Sequence, residues 1–486
     1  MNYRMMGKFI SRILLVEAAF MLPALLISLY ESEMRSVCGF LTSIVITLSL
    51  ALALWFLCRK AKKGFYAKEG LVCVGASWIV MSLLGCLPFY FSGEIPHFMD
   101  ALFETVSGFT TTGASVLADV EALSMGNLYW RSFTHWLGGM GVLVFVLALG
   151  RGNGNDKSDG YTMHLLRAES PGPKVGKLVP KMKETAKILY FIYFFLTVLN
   201  VIFLLIGRMP LFDAVCTAFG TAGTGGFGIK SDSMAGYSPY LQDVCTVFML
   251  LFGVNFTCYY MLLIKQVKSV FRDEELRFYV GIALGSIVLI AWNVRDMYGS
   301  LEETVRHAAF QVASIMTTTG FATTDFDLWP SFSKAILLGL MLIGACAGST
   351  GGGFKCGRAL LLLKSLRRNV RQILHPQKVQ VVRVNHQMVQ ERVLDNTNAY
   401  LAAYAFIIVF SFIVISIDGF STMTNFSAVL ACFNNIGPGL ETVGPTCNFG
   451  GYSVLSKGML IVDMLAGRLE IFPILILFSK STWTRR

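Results

Sequence analysis

Residues 109–115 read FTTTGAS, residues 219–225 FGTAGTG, residues 316–322 MTTTGFA and residues 433–439 FNNIGPG. In each, an apolar, helix-like run ends at a bulky side chain: Phe109, Phe219, Met316 or Phe433. A glycine follows four residues later: Gly113, Gly223, Gly320 or Gly437. The residues between are small or hydroxyl-bearing, except Asn434, Asn435 and Ile436 in the last stretch. The glycines recur at intervals of roughly 100 to 120 residues, the mark of a fourfold internal repeat. Four such strands around one axis would form a ring of backbone carbonyls. That ring can replace the hydration shell of a cation such as potassium.

The rest of the chain agrees with that setting. It is 54% hydrophobic and 15% charged, against about 25% charged in soluble domains. Many apolar stretches reach 18 residues, so the class is an all-α, multi-pass membrane protein. The first apolar stretch carries Glu17 and no cleavage site, and reads as a retained helix. The net charge of +11 does not mark a nucleic-acid binder. Lys and Arg cluster at 59–68, 151–187, 265–277 and 355–392, and at both termini, whereas 93–127 carries acids and no Lys or Arg. This alternation is the positive-inside pattern and places both termini in the cytoplasm and each glycine signature outside. The eleven cysteines lack CxxC spacing and read as small apolar residues.

Two leading helices are expected at about 8–31 and 37–58, within a unit of residues 1–69. Four pore units follow: 70–183 with a cytoplasmic linker, 184–274, 275–396 with a basic linker, and 397–486. Each combines an outer helix, a short re-entrant helix, an extended return and an inner helix, for about ten spans in all. The re-entrant helices are expected at 99–110, 211–220, 302–316 and 423–433. They are too short to cross a bilayer. The backbone after them is tolerable only where it lines a wet cavity. Residues 151–187 and 365–393 read as polar or basic linkers with a docking role.

A re-entrant helix directs its partially negative C-terminus at the pore, which favours a cation. Glycine permits positive φ, so successive carbonyls can face the axis. The motifs SGFTTTGAS, GTAGTGGFG, TTTGF and NNIGPGLETVGP, in this order and spacing, resemble those of the Trk/Ktr/HKT superfamily of potassium transport proteins. The similarity is greatest to its bacterial TrkH/TrkG members and covers essentially the whole chain. It implies a potassium filter at Thr111, Thr112 and Gly113, at Thr221, Ala222 and Gly223, at Thr318, Thr319 and Gly320, and at Asn435, Ile436 and Gly437. In that superfamily a serine at the first filter glycine accompanies sodium conduction in some plant members. Glycine at all four positions here implies potassium. The resemblance also implies a homodimer with one pore per protomer in a bacterial inner membrane. Its regulator would be a cytosolic TrkA-type ring that carries the nucleotide, with no cofactor on this chain.

Residues 344–353, GACAGSTGGG, interrupt an apolar stretch at 332–366. A straight helix of that length would run about 50 Å, well beyond a membrane core, so it must break. In similar proteins such a loop is the gate, which directs attention to Gly344, Gly348, Gly351, Gly352, Gly353 and Lys355. The glycines followed by Lys355 do not match a phosphate loop, and GTAGTGGFG lacks the context of a dinucleotide fingerprint. Arg468, expected near the middle of the last apolar helix, is costly there unless it faces a cavity or a partner. Asp463 and Glu470 share a face of that helix, away from Arg468. The resemblance makes Arg468 a barrier in the pore; a salt bridge to another helix is the other reading. Asp100, Glu104, Asp213, Asp325 and Glu441 lie towards the outer side, as cation-concentrating charges or as solvated surface. The six histidines are scattered. No nucleophile, acid pair or metal triad appears, which argues against an enzyme. Parallel repeats argue against an inverted-repeat transporter. Channel conduction and proton- or sodium-coupled symport both remain open.

Overall fold

The computed structural model describes residues 2–59, 67–141 and 182–483. The linker at 151–187 falls almost wholly outside these residues, as do Lys174, Lys177 and Lys181. Helices α1 (Tyr3–Tyr30) and α2 (Met34–Leu57) form the leading hairpin. The turn places Ser32 at φ 61°. Buried hydroxyls tie the two helices: Ser28 and Ser36 share a hydrogen bond, and Ser11 donates to Ala51 O. This satisfies polar atoms that neither lipid nor water could reach.

Next come α3 (Ala67–Gly85), α4 (Leu87–Ser92), α5 (Phe98–Phe109) and α6 (Met125–Gly139). The second unit has α7 (Met182–Ile206), α8 (Leu211–Gly223), α9 (Pro239–Phe252) and α10 (Phe256–Leu263). The third has α11 (Val267–Phe271), α12 (Glu274–Val294), α13 (Leu301–Met316), α14 (Ser331–Ile343) and α15 (Cys356–Leu374). The fourth has α16 (Glu391–Ile415), α17 (Thr422–Phe433), α18 (Val454–Arg468), α19 (Phe472–Phe478) and α20 (Lys480–Trp483). The short helices α5, α8, α13 and α17 match the expected re-entrant helices, except that α8 runs three residues beyond 220. Their first turns favour the helix: Asp100, Asp213 and Glu302 lie near their starts, where acids complement the dipole. Outer helices turn apolar side chains outwards, as α16 does with Phe406, Phe410 and Ile413.

Among the described residues, six helices are long and apolar enough to cross a membrane, or seven if one bent pair is a single span. The shortfall from ten lies in the inner stretches: those of the second, third and fourth units are interrupted, and that of the first is described only as far as Gly141. The sequence predicts a break in the third only. That break is present between α14 and α15, but α9 and α10 meet at 88° across residues 253–255. In the fourth unit α18 stops at Arg468, and Glu470 and Ile471 both take positive φ before α19 begins. Arg468 therefore ends a helix rather than sitting mid-helix, and Asp463 and Glu470 do not share one helical face. Close approach accompanies these ends. A Cβ on Gly138 or Gly467 would lie 1.8 Å from the carbonyl oxygen of Phe109 or Phe433 respectively. Only glycine lets the inner helices approach the pore-helix ends so closely.

The basic segment 365–393 is not a simple linker. Helix α15 continues to Leu374, and a hairpin pairs Arg383–Val384 with Gln387–Met388. Asn385 of this hairpin accepts from Glu274 N and donates to Asp273, capping α12. Lys364 of α15 pairs with Glu274.

Candidate ion pathway

Helices α5, α8, α13 and α17 end in one and the same turn. Thr111, Thr224, Thr318 and Asn435 take left-handed φ between 54° and 60°. The amides of these residues bond to Gly108, Thr221, Ile315 and Cys432 oxygens. The next amides, of Thr112, Gly225, Thr319 and Ile436, reach back to Ser107, Gly220, Ser314 and Ala431 oxygens at 2.8 to 2.9 Å. This is a Schellman cap. Its left-handed position is here filled by Asn435, which tolerates it, and by three threonines, at a cost of about 1–2 kcal/mol each. Strain repeated at three equivalent places points to a functional constraint. The chain then turns again at Gly113, Gly226, Gly320 and Gly437, with φ of 81°, 78°, 84° and 98°.

The second unit corrects the sequence reading. Thr221, Ala222 and Gly223 lie inside α8, with the Thr221 hydroxyl donating to Thr217 O. The residues that share the turn of the other three units are Thr224, Gly225 and Gly226. The missed signal was the aromatic that follows the glycine: Gly226–Phe227 matches Gly320–Phe321, whereas the match of Phe219 to Phe109 misled by three residues.

In this register the four turns close into a ring. A Cβ on Gly113 would lie 2.0 Å from Gly225 O, on Gly226 1.9 Å from Thr319 O, on Gly320 2.2 Å from Ile436 O, and on Gly437 2.8 Å from Thr112 O. Each glycine thus abuts the preceding carbonyl of the next unit, and the fourth returns to the first. Gly223 has no place in this cycle; its Cβ would meet His135 O. The four glycines line one cavity of about 120 Å³, with Ser115, Ser231, Ser233 and Thr446. That holds a few waters at about 30 Å³ each. Threonine hydroxyls brace the strands: Thr110 with Thr112 at 2.8 Å, Thr317 with Thr319 at 2.7 Å, and Asn435 Nδ2 to Thr112 Oγ1 at 2.9 Å. Thr111 Oγ1 and Asn435 Oδ1, both buried, have no hydrogen-bond partner among the described residues.

The loop 344–355 lies directly beneath. A Cβ on Gly351 would lie 3.0 Å from Thr317 O, and one on Gly352 2.8 Å from Asn434 O. Gly344, Gly348, Gly353 and Lys355 all take positive φ. Its many glycines predict flexibility, but the loop is held on several sides. Cys346 N donates to Gly253 O, Thr350 Oγ1 to Phe252 O, and Gly352 N to Thr318 Oγ1 at 2.7 Å; Gly348 O accepts from Phe256 N. Ala347 N donates to Glu275 Oε1 at 2.6 Å, and Lys355 Nζ donates to Gly351 O. Arg468 reaches the same loop. It donates to Thr350 O at 2.8 Å, to Gly139 O at 2.6 Å and to Gly138 O. Its charge thus meets the negative C-terminal end of α6. Glu470 pairs instead with Arg358, and Asp463 accepts from Ser411 at 2.7 Å.

The outer acids are mostly engaged. Glu104 is buried against Arg131 at 2.6 Å and accepts from Ser115 and Val116 N. It is a strut behind the first strand, neither a solvated charge nor one exposed at the mouth. Arg131 continues to Gly228 O and lies 3.6 Å from the centre of the Phe227 ring. Asp100 pairs with Lys457, and Asp213 accepts from Tyr237. Asp325 accepts from Asp327 N. Hydrogen bonds from Ser421 and Thr424 hold Glu441 below the ordinary carboxylate range.

The family described as TrkH, cation transport protein, matches residues 38–484. The chain belongs to the TrkH family. Its relatives include the Trk system potassium uptake protein TrkH of Salmonella typhimurium, 36% identical, with 97% of each chain covered. The Trk system potassium uptake protein TrkG of Escherichia coli is 34% identical over 95% of each. The crystal structure of the potassium transporter TrkH from Vibrio parahaemolyticus superposes with a TM-score of 0.89 at 32% identity, over the full length of both chains. As a member of this family the chain is a multi-pass membrane transport protein and not an enzyme.

Proposed function

We propose that this chain carries potassium inward across the bacterial cytoplasmic membrane, as the channel-like subunit of a Trk-type system. The observation that supports this best is the closed cycle of four turns, each glycine against the next unit's carbonyl. The filter comprises Thr111–Gly113, Thr224–Gly226, Thr318–Gly320 and Asn435–Gly437. Ions lose water at these carbonyls, aided by four helix C-termini. The loop with Gly344, Gly348, Gly351, Gly352, Gly353 and Lys355 then blocks the path, and Arg468 holds it shut. The layout is two leading helices and four pore units at 70–183, 184–274, 275–396 and 397–486, with both termini cytoplasmic. The protein works as a homodimer under a cytosolic TrkA-type ring that binds the nucleotide; its relatives' names place them in a Trk system.

The test is rubidium and sodium flux into liposomes that contain the purified protein alone. Gly113→Ser puts a side chain where Gly225 O lies, so it should raise sodium flux relative to rubidium, as should Gly320→Ser. An unchanged ratio in both overturns the filter. Flux that requires a proton or sodium gradient would establish coupled symport instead.

A further inference from the structure

The ring has one weak strand. Between the left-handed residue and the glycine, three units carry a side chain: Thr112, Thr319 and Ile436. Thr112 and Thr319 are anchored by hydroxyl hydrogen bonds, and Ile436 is fully buried. The second unit has Gly225 there, with glycine also at 223 and 226. Such a strand has no side chain of its own to fix the carbonyl that faces Gly113.

A side chain from another unit fills the gap. A Cβ on Gly225 would lie 2.3 Å from both Cγ and Nδ1 of His135, on α6. His135 is fully buried. Its Nδ1 bonds Gly108 O at 2.7 Å, and Phe227 N donates to its Nε2 at 3.1 Å. An Nε2 that accepts leaves the proton on Nδ1, so the ring is the neutral Nδ1–H tautomer. It joins the end of α5 to the second filter strand, and its ring centre lies 4.2 Å from that of Phe227.

The other inner helices show what is exceptional. His135 stands eleven residues after the N-cap Ser124, as Met249 does after Ser238, Met341 after Pro330 and Met464 after Ser453. Methionine fills space but cannot donate to a carbonyl and accept from an amide. The histidine occurs only in the helix that packs on the strand lacking a side chain. We propose that His135 is a positioning residue of the filter, setting the Gly225 carbonyl and hence the discrimination between potassium and sodium. This inference rests on the filter reading above.

The test is reciprocal, in full-length protein of native size in liposomes, and reads the rubidium to sodium flux ratio. His135→Met, which installs the residue of the other three helices, should lower the ratio about fivefold to tenfold, the loss of one or two hydrogen bonds. His135→Gln, which retains an acceptor for Phe227 N, should keep more of the ratio than His135→Met. Gly225→Thr alone should collide with the imidazole and lose flux. The double variant His135→Ala with Gly225→Thr should recover a higher ratio than His135→Ala, because the threonine occupies the vacated space. Gly225 does not take positive φ, so its backbone accepts the change. A folded His135→Met protein with the parent ratio overturns the proposal. So does failure of both His135→Met and the double variant to fold, which would mark a histidine needed only for packing. Gly113→Ser is measured alongside. If it shifts the ratio and His135→Met does not, the positioning role alone fails; if neither shifts it, the filter reading fails.

Discussion

Arg468 is a buried guanidinium beneath the ring of four turns. Its hydrogen bonds join the loop at Thr350 to the end of α6 at Gly138 and Gly139. A charged hydrogen bond contributes about 1.5–3 kcal/mol, so losing the contact to Thr350 shifts a closed-to-open equilibrium roughly tenfold or more. Arg468→Ala should therefore raise basal rubidium flux with the rubidium preference intact. Normal basal flux in a folded variant would remove Arg468 from the gate. Glu104 makes the opposite prediction. Its removal strands Arg131 as a buried lone charge, which costs about 3–5 kcal/mol. Glu104→Ala should lower the yield and melting temperature of the purified protein, whereas Asp213→Asn should change them little. Equal melting temperatures for the two variants would contradict the strut.

At the scale of elements, the loop is governed by what holds its two sides. Glu275 lies in the first turn of α12, capped by the hairpin through Asn385, and takes the amide of Ala347. Helix α15 leaves the loop directly and is tied to α12 through Lys364 and to α16 through Arg368 with Glu391. A pull on α15 would therefore act on both the loop and its anchor, a hinge of the kind that bistable elements need. Glu275→Leu should raise basal flux about threefold to tenfold by freeing one well-formed hydrogen bond to the loop. Single-channel open probability is the measurement, and an unchanged value would mean that the bonds to Gly253, Phe252 and Thr318 suffice. Removal of residues 351–353 should raise flux further, because those residues lie against the Thr317 and Asn434 oxygens.

On the scale of the whole molecule, the cytosolic regulation proposed above would have to act on this loop from the cytoplasm. The basic segments at 151–187 and 355–392 are where an acidic face of a regulatory ring would bind. Charge reversal at Lys174, Lys177 and Lys181 should weaken co-purification of the ring and abolish the nucleotide response, with the flux ratio unchanged. If binding and response both persist, the docking surface moves to Arg367, Arg368 and Arg371 on α15. That helix then couples the ring to the gate without an intermediate element.

By itself the sequence determined the membrane class, the four repeated pore helices and the need for a break at residues 344–353. These are properties of length, hydropathy and spacing, which act locally along the chain. It also singled out Thr111–Gly113, Thr318–Gly320 and Asn435–Gly437, because in those units the bulky residue lies four before the glycine. The tertiary structure decided the rest. The second strand is Thr224–Gly226 because α8 runs three residues further before its cap, and only packing of Gly113 against Gly225 O and of Gly226 against Thr319 O exposes the register. The breaks in the second and fourth inner helices escape the sequence reading because single residues mark them, Asn255 capping α10 and Pro473 opening α19, rather than a run of small residues. The setting of His135 depends on Gly225, 90 residues distant, because an imidazole can fill the space of a missing side chain only once the two units are folded together.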